Sequence, residues 1–201
     1  MHNPFKIVTQ FEETIATYSG SKYAVAVDSC SNALFLCCLY LNIKDKAITI
    51  PKRTYPSVPC SIIHAGGKIN FEDLTWSGIY QLKPFPIYDG AKRFRKNMYI
   101  QDSYHCLSFH IKKHLPIGRG GMILTNNKEA CEWFKLMRYD GREECSLHTQ
   151  KNFSVLGWNF YMSPDLATRG LWLMGTVKDD NEDLEENPPY PDLSTMKIYR
   201  E

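Results

Sequence analysis

The chain has 201 residues, 43% of them apolar, with a formal net charge of +2, enough for one domain around a sizeable core. So small a charge excess gives no electrostatic case for nucleic acid or an acidic membrane as a partner. The longest apolar run, residues 33–41, is about half of the ~20 residues of a membrane span, and the polar N-terminal stretch lacks a signal-peptide core, so a soluble cytoplasmic protein is expected.

Phe5, Val8, Phe11, Ile15 and Tyr18 recur at helical spacing, which predicts an amphipathic helix over residues 5–18 stopped by Ser19-Gly20. The apolar residues 23–27 read as a buried strand, Asp28-Ser29-Cys30-Ser31-Asn32 as a turn, and residues 33–41 as a buried helix. A second strand over 47–50 is closed by Pro51; a helix over 58–64 stops at Gly66-Gly67; a third strand covers 68–71. This alternation predicts an α/β fold with a mostly parallel sheet flanked by helices. Residues 82–87, with two prolines, read as an edge strand or lead-in ending at Tyr88-Asp89-Gly90. Strands over 106–109 and 122–125 bracket a glycine-rich loop, and residues 128–138 form a helix with Ala130, Trp133, Phe134 and Met137 on one side. After Gly175 the composition turns acidic and proline-containing, which divides the chain into a domain over 1–175 and a flexible or draped tail over 176–201. No internal repeat is evident.

Seven cysteines stand at irregular positions (30, 37, 38, 60, 106, 131 and 145) without a CxxC pair, the pattern of reduced core thiols. His110 and His114 have a helical chelating spacing, but no third ligand stands at a recognisable distance and Pro116 opposes a continuing helix, so no metal site is expected. The turn at residues 28–32 between strand and helix can cradle a phosphate, through unpaired N–H groups, the helix dipole and the Ser29 and Ser31 hydroxyls. A plain serine N-cap explains the same residues. Lys112 and Lys113 stand between an apolar strand and a glycine-rich turn. A surface pair is the ordinary reading; an amine facing a cleft, able to lose its proton and form a Schiff base, is the chemical one.

Taken together, these segments resemble the DegT/DnrJ/EryC1/StrS aminotransferases, a branch of the fold-type-I pyridoxal-phosphate enzymes. Phe11-Glu12 and residues 23–27 are similar to that family's opening helix and strand, and Ser29-Cys30-Ser31-Asn32-Ala33-Leu34 to its S-G-T-x-A-L turn. Pro51-Lys52-Arg53-Thr54-Tyr55 resembles its P-x-x-T-aromatic turn, and Ser108-Phe109-His110-Ile111-Lys112-Lys113 its S-F-H-x-x-K segment, followed by Gly118-Arg119-Gly120-Gly121 for G-E-G-G. Gly157-Trp158-Asn159-Phe160-Tyr161-Met162 resembles the late G-x-N-Y-R-M signature. By position, the resemblance implies that Lys113 is the Schiff-base lysine that forms the internal aldimine with pyridoxal 5'-phosphate (PLP), and that Asp89 pairs with the pyridinium nitrogen. It implies Tyr55 stacking on the ring, Cys30, Ser31 and Ser108 at the phosphate, Lys92 at the polar position three after the aspartate, and Asn159 reaching the phosphate of a neighbouring subunit in a homodimer. Taken singly, Asp89 reads as a turn residue, Tyr55 as a core aromatic and Asn159 as a cap or turn residue. Lys112 is one residue out of register for the lysine's role.

The departures from the pattern are specific. Family members usually run to nearly twice this length; residues 72–87 are short where the family carries further elements, and the small C-terminal domain is expected to be largely missing. Cys30 replaces a glycine, Tyr88 an acid, Arg119 an acid and Tyr161 an arginine. Lys92, Arg93, Arg95 and Arg119 make a basic neighbourhood suited to a phosphorylated substrate or to a solvated face. Two functions follow: transfer of an amino group from an amino acid, glutamate in most of the family, to a keto-sugar nucleotide, or a non-catalytic or altered-substrate relative that keeps the fold for binding or assembly.

Overall fold

The computed structural model describes residues 3–144, 153–185 and 189–199; Met1, His2 and Cys145 lie outside them. Helix α1 (Lys6–Ser19) turns Val8, Phe11 and Ile15 inward and ends where Gly20 takes a left-handed φ of 82°, a conformation that a Cβ disfavours. There follow β1 (Tyr23–Val27), α2 (Cys30–Tyr40), β2 (Ala47–Pro51), α3 (Ser57–His64), β3 (Lys68–Glu72), β4 (Tyr80–Gln81), β5 (Ile87–Asp89), β6 (Tyr104–Ser108), β7 (Gly121–Thr125), α4 (Lys128–Met137) and α5 (Pro164–Met174). Helix α5 is absent from the sequence reading, although Ser163-Pro164 is a helix-start signal.

The strands lie in the order β1-β7-β6-β5-β4, with β2-β3 as a second sheet. An antiparallel bridge between Thr49 and Lys83, with N–H···O distances of 2.8 and 3.1 Å, joins β2 to the end of the β4 segment. Strands β1, β2, β3, β5 and β6 share one direction, and β4 and β7 run against them. The α/β class is as expected. The pairing is mixed, because the two reversed strands intervene between strands of like direction and leave only β5–β6 and β2–β3 paired in parallel. Both reversals follow from connections without a helix: residues 82–86 between β4 and β5, and 109–120 between β6 and β7.

Both sheet faces are covered. Val25 and Val27 of β1 face a core with Leu34, Leu36, Ile48, Ile50 and Phe134. Ala24 and Ala26, at the alternate positions, face one with Phe11, Ile15, Phe109 and Ala167. An ion pair ties this layering together. Glu12, 3% exposed, accepts the Ala26 N–H at 2.8 Å and pairs with Arg138 of the α4 C-cap. Arg138 also donates to the Ala26 carbonyl at 2.5 Å and to Glu144 at 2.8 Å. Removing one partner of such a buried pair costs about 3–5 kcal/mol, which gives Glu12 of the opening helix a structural role.

The acidic segment after Gly175 runs back over the basic residues 92–96. Asp183 receives hydrogen bonds from Arg93 and Arg95, each at 2.6 Å, Lys96 pairs with Asp179 at 2.9 Å, and the Leu184 N–H reaches the Lys92 carbonyl at 2.9 Å. Farther on, Leu193 is fully buried and its N–H bonds the Lys52 carbonyl at 2.9 Å. The basic cluster is thus met by the tail of its own chain. Among the described residues no helix is long and apolar enough to cross a membrane.

Candidate functional site

The C-terminal ends of β1, β2, β5 and β6 and the start of β7 meet on one side of the sheet, where open α/β folds place their ligand crevices. There the structure forms a cavity of about 660 Å3, within the usual range for a small-molecule site. Seven of the eight residues singled out from sequence line it: Cys30, Ser31, Tyr55, Asp89, Lys92, Ser108 and Lys113. Asn159 does not; it is exposed, and its side-chain amide donates to Asp140 at 3.2 Å.

The β1–α2 turn satisfies both readings of its serines. Ser29 is the N-cap, its hydroxyl accepting from the Asn32 N–H at 3.2 Å. Cys30 and Ser31 are the first helical residues, so their N–H groups have no intrahelical acceptor and carry the positive end of the helix dipole. The Ser31 hydroxyl donates to that of Ser57 at the start of α3, at 2.6 Å. Gly121 packs against this turn: a Cβ there would lie 2.4 Å from the Ser29 carbonyl carbon and 2.5 Å from the Cys30 nitrogen.

At the end of β5, Asp89 is 5% exposed. One carboxylate oxygen accepts the Ala91 N–H at 2.9 Å and the other accepts the Tyr80 hydroxyl at 2.8 Å. Burial raises its pKa above the ordinary carboxylate value, while those hydrogen bonds and the charges of Lys113 and Lys92 pull it down. The Cys30 thiol is pushed well up, first by burial and then by the Asp89 charge, so it stays a neutral thiol rather than a nucleophile.

Lys113 is half-buried and Lys112 exposed. Both line the cavity, and the Lys113 charge acts on Asp89 and Cys30. The segment carrying them is a loop, so the helical spacing of His110 and His114 does not apply; His114 instead bonds the Glu182 carbonyl at 2.8 Å. Lys92 departs from the picture of a solvated base. It is 7% exposed, with its ammonium 5.2 Å from the Trp76 ring centroid and 5.4 Å from that of Tyr190. Arg119, with its side chain 71% exposed, holds Asp28 at 2.9 Å.

Sequence reading missed Trp76, Tyr80 and Tyr190 as site residues. Thr54 lay within a recognised motif, but its link to Tyr80 (2.5 Å between hydroxyl oxygens) had no signal in the local pattern.

These residues fit a planar, nitrogen-containing ring that carries a phosphate. The free N–H groups at the α2 start suit the phosphate, a buried carboxylate suits a protonated ring nitrogen, and Lys113 supplies an amine on the same cavity.

The sequence matches the DegT/DnrJ/EryC1/StrS aminotransferase family over residues 2–84 and 90–187. Asp89 falls between the two matched segments, so its assignment rests on its place at the end of β5. The chain is 24% identical, over 96% of its length and 65% of the relative's, to a UDP-4-amino-4,6-dideoxy-N-acetyl-beta-L-altrosamine transaminase of Campylobacter jejuni. Its fold is that of a DegT DnrJ EryC1 StrS aminotransferase from Brucella abortus (TM-score 0.72, 18% identity, covering 87% of this chain and 59% of that one). It is also that of ntda from Bacillus subtilis, solved with bound cofactor PMP (TM-score 0.67, 20% identity, covering 84% and 47%). The chain spans about half to two thirds of the length of these proteins.

Proposed function

The chain belongs to the DegT/DnrJ/EryC1/StrS aminotransferase family, and from that premise we propose that it is a PLP-dependent sugar aminotransferase, moving an amino group from an amino acid such as glutamate to a keto-sugar nucleotide. The observation that carries the reading is the pairing of half-buried Lys113 with buried Asp89 on one cavity at the strand ends. When bound, the cofactor supplies an electron sink for carbanion chemistry. The protein's part is to hold and orient it and to move protons. Cys30 and Ser31 N–H groups and the Ser108 hydroxyl hold the phosphate. Asp89 would keep a proton on the ring nitrogen by charge pairing, and Tyr55, on the same cavity, would supply an aromatic surface for the ring. Lys113 would hold the cofactor through its amine, and that amine, on the same cavity as Asp89, would be the group able to accept and return a proton. Lys92, between aromatic rings, presents a cation to an anionic substrate group.

Asn159, exposed and away from its own cavity, supports a homodimer in which it serves the partner's phosphate site. A cytoplasmic location accords with nucleotide-sugar substrates. A second reading, a binding module without turnover, draws on one observation: Leu184, Glu185 and Tyr190 of the tail also line the cavity.

Titration with PLP tests the first reading. Wild-type protein is expected to give an absorption band near the visible–ultraviolet border that borohydride removes, fixing an adduct on Lys113 detectable by mass spectrometry. Lys113→Ala loses band and adduct; Lys112→Ala keeps both. A folded wild-type protein without a band sinks the enzyme reading, and a band without amino transfer to any keto-sugar nucleotide favours the binding module.

A further inference from the structure

Resting on the proposed cofactor site, we infer that Tyr80, held by Thr54, is a positioning residue that keeps Asp89 an oriented carboxylate facing the cavity. Tyr80 comes from β4, the short reversed strand whose register places it opposite Asp89. Its hydroxyl lies 2.8 Å from one Asp89 oxygen and 2.5 Å from the Thr54 hydroxyl. Tyr80 is 4% exposed and Thr54 fully buried, so water does not compete for these bonds. The Trp76 ring packs edge-on against Tyr80 with centroids 4.6 Å apart.

Charge fixes the direction of the hydrogen bonds. An ionised carboxylate only accepts, so Tyr80 donates to Asp89 and Thr54 in turn donates to Tyr80. Burial holds the Tyr80 phenol well above its ordinary pKa, so the donor keeps its proton across the working range. With Ala91 N–H on the other oxygen at 2.9 Å, both carboxylate oxygens are fixed, and their remaining lone pairs are left for a protonated ring nitrogen in the cavity that Asp89 lines.

Charged and titratable groups also act on Asp89 from around the cavity. Lys113 and Lys92 favour its charge, and the neighbouring Cys30 and Cys106 thiols, both pushed up by burial, stay neutral. Tyr80 is the neutral side chain that donates a hydrogen bond directly to the carboxylate.

The test uses Tyr80→Phe, which keeps the ring against Trp76, and Thr54→Val, which leaves Tyr80 in place but removes its donor. In cofactor-free protein, carboxyl-carbon NMR follows the Asp89 titration, assigned by its loss in Asp89→Asn. Tyr80→Phe is expected to move that titration upward, and Thr54→Val to move it upward by less. PLP affinity, read by absorbance, is expected to fall roughly ten- to a hundredfold in Tyr80→Phe, the scale of a lost hydrogen bond to a charged group, with the deficit growing as pH is lowered. An unchanged Asp89 titration in a folded Tyr80→Phe protein overturns the inference. If Tyr80→Phe does not fold, an unshifted titration in Thr54→Val overturns it instead. Because the titration needs no cofactor, failure of the wild type to bind PLP refutes the proposed function separately.

Discussion

Asp89 bears the opposing demands of folding and chemistry. Its carboxyl titrates above the ordinary value because burial outweighs its hydrogen bonds and the two lysine charges. For an acid raised in the folded state, stability is fully present below the unfolded value and is lost as pH rises through the folded one. At neutral pH the buried carboxylate therefore destabilises the cofactor-free protein. An amide at this position still accepts from the Ala91 N–H and, by reversing the Tyr80 and Thr54 hydroxyls, donates to Tyr80. Asp89→Asn is thus expected to raise the melting temperature at pH 7–8, each ~1 kcal/mol gained appearing as about 2–4 °C in a chain this size. The gain should vanish below about pH 4, where the acid is protonated in both states, and PLP binding should be lost throughout. Calorimetry at several pH values decides; a lower melting temperature at pH 7 contradicts the burial argument. That Lys113 and Asp89 line one cavity accords with the order of segments read in the sequence. Tyr80 was not legible there, because its partnership with Asp89 is made by strand register rather than by any local pattern.

Among the elements, the β1–α2 turn and the start of β7 depend on each other. Gly121 brings its backbone against the Ser29 and Cys30 backbone, at 2.4–2.5 Å from where a Cβ would stand. No rotamer change relieves a contact with main-chain atoms, so Gly121→Ala must displace the α2 N-terminus or the first residue of β7. The expected cost is about 1–3 kcal/mol of stability, the usual price of overpacking. PLP affinity should fall as well, because the displaced N–H groups are those proposed to hold the phosphate. Chemical denaturation with a parallel spectral titration measures both; normal affinity in a destabilised variant would remove that turn from the phosphate site. The turn itself was readable from sequence, since an apolar run, small polar residues and a second apolar run have few other foldings. The β4–β5 pair was not. Two residues, Tyr80 and Gln81, leave no periodicity to detect, and Pro84 and Pro86 in the connection mask the strands on either side. Helix α5 had its start signal, but Pro164 follows residues whose irregular pattern hid it.

Across the whole molecule, the tail acts through charge at one anchor and burial at the other. The turn of composition after Gly175 was visible in sequence, and so was the basic run at 92–96; that one docks on the other is a long-range pairing that sequence distance conceals. Asp183 is the centre of the first anchor, held by Arg93, Arg95 and the Ser77 hydroxyl, with its pKa well below the ordinary value, chiefly through the Arg93 hydrogen bond. For an acid depressed in the folded state, the stabilisation is present above the unfolded value and lost as pH falls toward the folded one. Docking should therefore be insensitive to pH from 5 to 8 and weaken only below about pH 4. Leu193, fully buried, anchors the far end without depending on that charge. Amide hydrogen exchange separates the two. In Asp183→Asn, the Leu184 N–H that bonds the Lys92 carbonyl is expected to exchange about 5–30-fold faster, as for a loss of 1–2 kcal/mol. The Leu193 N–H, bonded to the Lys52 carbonyl, should change little. High salt should reproduce part of the first effect in wild-type protein, because the Arg95 side chain remains 34% exposed and is screened. Equal acceleration at both amides would mean that the tail releases as one unit, and that Asp183 holds Leu193 in place as well as its own segment.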